Sequence, residues 1–351
     1  MRSHPSILDH KEADRSFQRN RTKSIVFLLI LTAALAVSIL ISLGSGSFQM
    51  SAGQLLQGIF GLAEDNRVNL VVQNNRLPRI CAALLAGAGL GLAGCALQAV
   101  LHNPLASAST LGVSQGAGFG AAFAIVVLGR FGAGDAGVPV FAFFGSIAVA
   151  LLILGLSRFR QISPEGIVLS GVAISSMFTG ATTLLQYFAD EVELSSIVFW
   201  SFGNLGSASW GDLGQMALAM AVLLVYSLCH RWDYNALLSG EETAVSLGIP
   251  VKQLTLISLL LCCLTSSVVV SHVGLISFIG LVAPHIVRLV VGNNHVYLLP
   301  GAALAGALLL LLGDLFARTV ISPAILPIGA ITSFLGGPLF LYLLFKGGKQ
   351  K

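Results

Sequence analysis

Two small groups of charged residues carry the clearest chemical signal in this sequence. Arg76 and Arg79 form the ends of the segment RLPR, and Asp314 lies four residues before Arg318. An arginine guanidinium can hold a carboxylate through two parallel hydrogen bonds, and opposite charges four positions apart meet on one helix face. Asp314 and Arg318 therefore form an internal ion pair, or Arg318 points outward to a partner. For Arg76 and Arg79 the alternatives are lipid phosphate and a partner's carboxylate, with Pro78 fixing the turn into a following span.

The segment SGEETAVSLGIP, residues 239–250, has the pattern of one short helix with a signal at each end. Ser239 is placed to cap its start, and Glu242 three residues later would complete a capping box. Gly248 and Pro250 are expected to end it. About two turns cannot cross a bilayer, which requires roughly 20 residues. We therefore expect this helix at the membrane edge.

Motifs that would indicate catalysis or a resident cofactor are missing from the sequence. It contains no GxxxxGK[ST] phosphate loop, no HExxH metal site and no Ser/His/Asp constellation. The spacing Gly89-x-Gly91-x-x-Gly94 lies inside an apolar run, where glycines favour close helix packing. Histidines near the ends of apolar runs are interpreted as interface residues, and cysteines as packing residues. No catalytic residue, bound cofactor or metal ligand is expected in this chain.

The composition indicates a polytopic helical membrane protein. Of 351 residues, 55% are hydrophobic and only 10% are charged, whereas soluble proteins carry about 25% charged residues. We expect an all-α fold with about ten transmembrane helices and a short surface helix near Val192–Phe202. The ten predicted spans are Ile25–Leu43, Ile80–Val100, Leu105–Leu128, Val138–Leu156, Ile167–Phe188, Leu213–Cys229, Leu254–Val270, Val273–Val291, Leu298–Phe316 and Ile325–Phe345.

The distribution of lysine and arginine predicts the orientation. With the N-terminus in the cytoplasm, 14 of the 19 lysine and arginine residues fall on the cytoplasmic side, as the positive-inside rule requires. Both termini and the segment 239–250 are then cytoplasmic, and RLPR lies outside. The predicted organisation is a basic N-terminal tail over 1–23, one membrane domain over 24–346 with cytoplasmic helices at about 231–250, and a C-terminal tail over 347–351.

Seven motifs, in order, resemble the permease subunits of ABC importers for ferric siderophores, haem and cobalamin, the FecCD-type family. They are RLPR (76–79), AGAGLGLAGCALQAVLHNPLASASTLGVSQGAG (86–118), WSFGNLGSASW (200–210), SLGIP (246–250), GLISFIGLVAPHIVRLVVGNNH (274–295), LLGDLFAR (311–318) and LPIGAITSFLGGPLFLYLL (326–344). The resemblance covers about residues 50–346 and implies the type II ABC importer permease fold. It also implies a second permease subunit, identical or paralogous, two ATPase subunits that hold ATP and Mg²⁺, and a substrate-binding protein outside. Membrane lipid surrounds such a protein, and nucleic acid is not an expected partner.

The resemblance assigns docking and coupling roles. Arg76, Arg79 and Arg318 match arginines that grip glutamates of the binding protein. The segment 239–250 matches a cytoplasmic helix that fits into a groove on the ATPase and transmits its closure. The expected coupling residues are Ser239, Gly240, Glu241, Glu242, Leu247 and Gly248.

A cytoplasmic gate is also implied by the resemblance. Asn103 and Leu105, in HNPLA, match a gate loop, and Ser163 and Pro164 fall near a second gate element.

The sequence departs from the family pattern at four positions. Ile325 stands where the family often has Glu, and His102 stands where Arg is common. The segment GNNHV places Asn294 and Val296 where the family has an acid and a base. The first departure removes a carboxylate near Arg318, and the others alter contacts at the cytoplasmic face.

We therefore expect an inner-membrane transport subunit rather than an enzyme, energised by ATP on a partner chain and working by alternating access. The expected cargo is a metal chelate, with a ferric siderophore preferred to haem or cobalamin. A secondary transporter driven by protons or sodium is the alternative from another class. It would need ionisable residues near the bilayer midplane, whereas Asp314 lies near the end of a span.

Overall fold

A computed structural model describes residues 7–46, 48–129, 137–160, 163–321 and 324–347. All regular elements within these ranges are helical, which confirms the predicted all-α fold. The α-helices are α1 (Ile7–Gly44), α2 (Ala52–Ile59), α3 (Asn66–Val71), α4 (Leu77–Val100), α5 (Val113–Phe123), α6 (Gly137–Arg160), α7 (Pro164–Phe188), α8 (Glu191–Ser201), α9 (Trp210–Cys229), α10 (Arg231–Leu237), α11 (Glu241–Ser246), α12 (Val251–Val273), α13 (Ile279–Val291), α14 (His295–Thr319) and α15 (Ile328–Gly347).

The described helices reproduce the predicted set of membrane spans. Seven are long and apolar enough to cross a membrane, and three shorter apolar helices lie at Val113–Leu128, Ile279–Val291 and Ile328–Tyr342. Together they coincide with the ten predicted spans, although the ends differ. The third span begins at Val113 rather than Leu105, because the intervening residues form turns. The predicted surface helix is α8, within one residue at each end.

The expected turn at Pro78 is wrong. The chain is already helical from Asn66 and stays helical to Val100. A π-helical segment, Val72–Arg76, separates α3 from α4, and Pro78 lies in the first turn of α4. Proline inside a regular α-helix conflicts with the carbonyl four residues earlier. The wider π-helical turn directly before Pro78 relieves that conflict and lets the helix continue.

Helix α4 is the central element of the bundle, and glycines let its neighbours approach closely. A Cβ added to Gly91 would lie 2.3 Å from the carbonyl oxygen of Ala302 in α14, and one added to Gly94 would lie 1.8 Å from that of Gly280 in α13. Backbone contact at these distances leaves no room for a side chain. The glycines of the GxGxxG run are therefore packing residues, as the sequence indicated.

A second close contact joins α5 to α6. Gly116 lies against the carbonyl of Gly145, and Gly120 lies against that of Phe141. Gly112 continues the same sequence spacing but has a different role, since it precedes α5 with a φ of 90°. A left-handed backbone of this kind favours glycine.

The bundle has two opposite ends, which we name by their residues. The arginine end contains Arg76, Arg79 and Arg318, and the short-helix end contains α10 and α11. Helix α14 joins them: His295 at its start donates its backbone N–H to Asn235 of α10, and Asp314 near its other end contacts Arg79.

Candidate functional site

The arginine end is built around one carboxylate. Asp314 is fully buried. Its Oδ2 accepts a hydrogen bond from Arg318 Nε at 2.9 Å, and its Oδ1 accepts one from Arg79 Nε at 2.8 Å. The internal Asp314–Arg318 pair is therefore present, and it gains a second partner that is 235 residues away in sequence. The carboxylate joins α4 to α14.

The other arginine contacts hold the chain after α1 against the bundle. Arg76 donates to the carbonyl oxygens of Leu43 and Phe48. Arg318 donates through Nη2 to Ser42 Oγ at 2.6 Å and through Nη1 to Ser45 O at 3.2 Å. All of these donors are thus used within the chain.

Arg79 differs from the other two arginines. It is only 7% exposed, and its Nε is held by Asp314. Within the part of the chain that the structure describes, Nη1 and Nη2 form no hydrogen bond, and Nη1 lies beside Gly206 in the turn before α9. Two parallel donors of one guanidinium suit a carboxylate. The docking role expected for three arginines remains a prediction.

At the short-helix end, α11 occupies the position predicted from the sequence, but its start is built differently. The predicted capping box of Ser239 and Glu242 is wrong, because Gly240 precedes the helix with a φ of 100° and no side chain caps it. Ser239 instead donates its backbone N–H to Ala236 O at 3.0 Å and closes α10. A backbone of this shape favours glycine, so Gly240 displaces Ser239 from the capping position.

The end of α11 follows the prediction. Gly248 has a φ of 86°. Its N–H donates to Val245 O at 2.9 Å, and the N–H of Ile249 donates to Ala244 O at 3.1 Å. This pair of bonds is the Schellman arrangement that ends a helix at glycine.

Exposed side chains of the short helices form a surface with both charge and apolar area. Glu241 and Glu242 are exposed at the start of α11, and Leu247 at its end is 67% exposed. Ala244, on the opposite face of α11, is fully buried. The apolar members of this surface are Trp232, Leu238, Val245 and Leu247. Four large apolar side chains exposed on two short helices are available for a contact with a partner or with membrane.

Hydrogen bonds tie α10 to three neighbouring elements. His102 Nε2 lies 3.0 Å from Leu237 O, which connects α10 to the loop after α4. Tyr234 Oη lies 2.8 Å from Ser258 Oγ in α12. Burial raises the pKa of the Tyr234 phenol, so the hydroxyl stays protonated and available for this bond. Asn235 Nδ2 donates to Asn294 Oδ1 at 3.0 Å, at the start of α14.

The structure places the expected gate residues at the short-helix end of the bundle. Asn103 Oδ1 accepts from the backbone N–H of Leu105 at 2.9 Å and fixes the loop, while the Leu105 side chain is exposed. Ser163 Oγ accepts from Gly166 N at 3.3 Å and caps α7, whose first residue is Pro164. Their gating role stays a prediction.

A wall of hydroxyl groups along α7 was not predicted. Ser175, Ser176, Thr179 and Thr183 of α7 line an open groove of about 560 Å³, together with Val172 and Gly180 of the same helix and Thr110 of the loop before α5. An adjoining cavity of about 270 Å³ is lined by residues that include Ser114, Gln115, Thr182 and Gln186. None of the residues lining the two spaces is charged. In the sequence, the helical spacing of serine and threonine along α7 is the pattern that could have predicted this wall.

Side chains that could ligate a metal ion are scattered in the described residues. Within them, no three His, Cys, Asp or Glu side chains are grouped so that they would hold a metal ion. All five cysteines are free.

Comparisons with known proteins agree with this architecture. The FecCD transport family matches residues 34–346. A Methanocaldococcus jannaschii protein described as an ABC transporter permease is 46% identical over 337 residues, covering 93% of this chain and 96% of that protein. The hemin transport system permease of Yersinia pestis is 36% identical, covering 93% of this chain and 96% of that protein. The vitamin B12 import permease of Escherichia coli O157:H7 is also 36% identical, covering 95% and 98%.

A solved structure has the same fold. It is described as an inward-facing conformation of a metal-chelate type ABC transporter, with a TM-score of 0.79 and 32% identity. The match covers 91% of this chain and 98% of that one.

Proposed function

The chain belongs to the FecCD transport family and is a permease subunit of an ABC importer, and we propose that ATP hydrolysis on a partner chain drives it to move a metal chelate into the cytoplasm. Within this class a ferric siderophore is the proposed cargo. Haem and cobalamin are the alternatives, because relatives that are 36% identical are named for hemin and for vitamin B12. The chain itself holds no phosphate loop, so ATP and Mg²⁺ are assigned to the partner ATPase.

The observation that carries the cargo proposal is the uncharged hydroxyl wall of α7. Ser176 Oγ donates to Val172 O and Thr183 Oγ1 donates to Thr179 O, so their oxygens remain as weak acceptors. A wall of this kind can contact a large polar chelate without holding it tightly. Affinity is then supplied by the external binding protein, and release into the cytoplasm is not opposed.

The pathway requires a second permease subunit. Only 17% of the most apolar 18-residue window of α7 is buried within this chain, and the exposed face of this helix carries the hydroxyl groups of the groove. A second subunit, identical or paralogous, would cover that face and enclose the pathway between the two walls.

The short-helix end is the proposed ATPase contact, and it lies in the cytoplasm in the orientation predicted from charge. Its exposed residues Glu241, Glu242 and Leu247 are available to a groove on the ATPase. A displacement of α10 would be passed to the gate loop through His102 and to α14 through Asn294. The arginine end lies outside in this orientation and meets the binding protein through Arg79.

The test is uptake by the complete importer in sealed liposomes, supplied with its binding protein and with ATP on the ATPase side. Ferric siderophore, hemin and cyanocobalamin are presented separately. We expect ATP-dependent accumulation of the ferric siderophore that persists when the proton gradient is collapsed. If hemin or cobalamin accumulated instead, that compound would be the cargo. Uptake driven by a proton or sodium gradient without ATP would overturn the proposed mechanism.

A further inference from the structure

A polar cavity at the short-helix end has no role in the transport scheme. Its volume is about 440 Å³, and it lies between the start of the apolar part of α1 and the turn from α13 to α14. Its lining includes Arg21, Ser24, Arg288, Leu289 and Asn294. The cavity opens at a depth where three membrane-spanning helices begin or end.

The cavity has two positive charges and no acid among its lining residues. Arg288 Nη2 donates to Gln98 Oε1 at 2.8 Å, and this amide is a neutral partner. Neither Arg288 nor Arg21 forms an ion pair within the described ranges of the chain. An uncompensated pair of guanidiniums favours an anion, and guanidinium geometry suits the oxygens of phosphate.

Asn294 contributes a neutral amide to the lining of the cavity. Asn294 Oδ1 accepts from Val296 N at 3.0 Å and from Asn235 Nδ2 at 3.0 Å. Both bonds use the oxygen, so an aspartate could accept them equally. The amide nitrogen forms no hydrogen bond to any residue the structure describes.

Apolar surface continues from the cavity along the membrane-spanning helices. Leu289, which lines the cavity, is exposed. Ile25 and Val26, directly after the lining residue Ser24, are exposed as well. The cavity can therefore contact the phosphate of a ligand whose acyl chains contact the adjoining apolar surface.

We infer that this cavity binds the phosphate of an anionic phospholipid, with the acyl chains lying along α1 and α13. Basic pockets between membrane helices on the cytoplasmic side are suited to anionic head groups, and each Lys or Arg near the surface adds about 1 kcal/mol, or roughly fivefold in affinity. This inference does not depend on the cargo or on the docking surfaces.

The test uses the permease purified with its partner subunits and native mass spectrometry. The probes are dioleoylphosphatidylglycerol and dioleoylphosphatidylcholine, added separately at matched concentrations. We expect the wild type to retain the phosphatidylglycerol preferentially. Arg21→Gln and Asn294→Asp should each reduce that preference about fivefold, because each lowers the cavity charge by one unit. Arg19→Gln is the matched control, since Arg19 is exposed on α1 and does not line the cavity.

Three outcomes would overturn the inference. Equal retention of both lipids by the wild type, or equal loss of preference in the Arg19→Gln control, would show that the cavity is not a specific lipid site. Inorganic phosphate is the second probe: a phosphate adduct in a wild type that retains no phosphatidylglycerol would assign the cavity to a soluble anion. Thermal unfolding in phosphatidylcholine alone checks that both variants fold, and Arg21→Gln decides the outcome if Asn294→Asp does not.

Discussion

The two ends of the bundle hold their polar groups in opposite ways. At the arginine end, the Asp314 carboxylate is fully buried and bound by two guanidiniums from helices far apart in sequence. At the short-helix end, Glu241 and Glu242 are exposed, and the backbone alone caps α11. Charge is part of the packing at one end and part of the surface at the other.

The charged residues at the arginine end hold the helices together, whereas those at the short-helix end are exposed to a partner. A buried ion pair must keep its partners, because an unpaired buried charge is costly. An exposed carboxylate on a short helix contributes little to folding and remains available to another protein. The arginine end is therefore sensitive to single changes in charge, and the short-helix end is sensitive to changes in backbone shape.

The largest expected effect is that of Asp314→Asn. The substitution leaves Arg79 and Arg318 buried together without a counter-charge. Removing one partner of a buried ion pair costs about 3–5 kcal/mol. We expect a lower unfolding temperature and a lower yield of purified permease, measured by scanning fluorimetry in detergent.

The matched control for this prediction is Glu64→Gln, which neutralises an exposed carboxylate in the linker between α2 and α3. Its unfolding temperature should equal that of the wild type. If Asp314→Asn were as stable as Glu64→Gln, the carboxylate would not hold α4 to α14.

The next largest effect is expected for Arg79→Lys on binding-protein association. Lysine keeps the positive charge beside Asp314 but lacks the planar fork of donors. A loss of about 2 kcal/mol, or roughly thirtyfold in Kd, is expected from removing a desolvated partner of a charged pair. Association would be measured by surface plasmon resonance with the permease in nanodiscs.

Arg67→Lys is the control for docking, because Arg67 is an exposed arginine on α3. Arg76→Lys tests the assignment of Arg79 further: it should disturb the contacts with Leu43 and Phe48 but leave Kd within about twofold. Equal Kd values for Arg79→Lys and Arg67→Lys would remove Arg79 from the docking surface.

At the short-helix end, Gly248→Val should uncouple the ATPase. A residue with a Cβ in the left-handed region costs about 1–2 kcal/mol, and a β-branched residue is especially disfavoured there. Nothing lies within 4 Å of an added Cβ, so the effect comes from the backbone and not from a clash. We expect reduced retention of the ATPase subunits or reduced stimulation by the loaded binding protein, with docking at the arginine end unchanged.

Gly248→Asn is the control at the same position, because asparagine tolerates a left-handed backbone. It should retain most of the wild-type stimulation. If Gly248→Val showed wild-type ATPase stimulation and wild-type transport, the segment 239–250 would be only a linker.

The sequence predicts the elements of this fold better than it predicts their surfaces. Apolar run length gives the ten spans, and the i, i+4 spacing gives the Asp314–Arg318 pair. The partnership of Arg79 with Asp314 has no local signal, because it depends on how α4 packs against α14. The hydroxyl wall of α7 shows a helical spacing in sequence, but only the packing determines that this face stays uncovered.

The same limit explains the error at the start of α11. Serine followed three residues later by Glu is a sound local pattern, but two helices meet at Ser239. Its backbone closes α10, and Gly240 turns the chain through a conformation that serine disfavours. Competition between neighbouring elements for one residue is not encoded in the pattern of either element alone.

The smallest expected effect tests that competition directly through a pair of serines, one at each end of the bundle. Ser209 Oγ accepts from Asp212 N at 3.3 Å and Asp212 accepts from Ser209 N at 2.8 Å, so α9 begins with a complete capping box. Ser209→Ala should cost about 1 kcal/mol, the usual loss for a removed cap. Ser239→Ala should change the free energy of unfolding by less than about 0.5 kcal/mol, because the Ser239 side chain is exposed and caps no helix. The measurement is reversible unfolding of both variants under identical detergent conditions. A larger loss for Ser239→Ala than for Ser209→Ala would mean that Ser239 caps α11 in solution, and the two ends would then begin their helices in the same way.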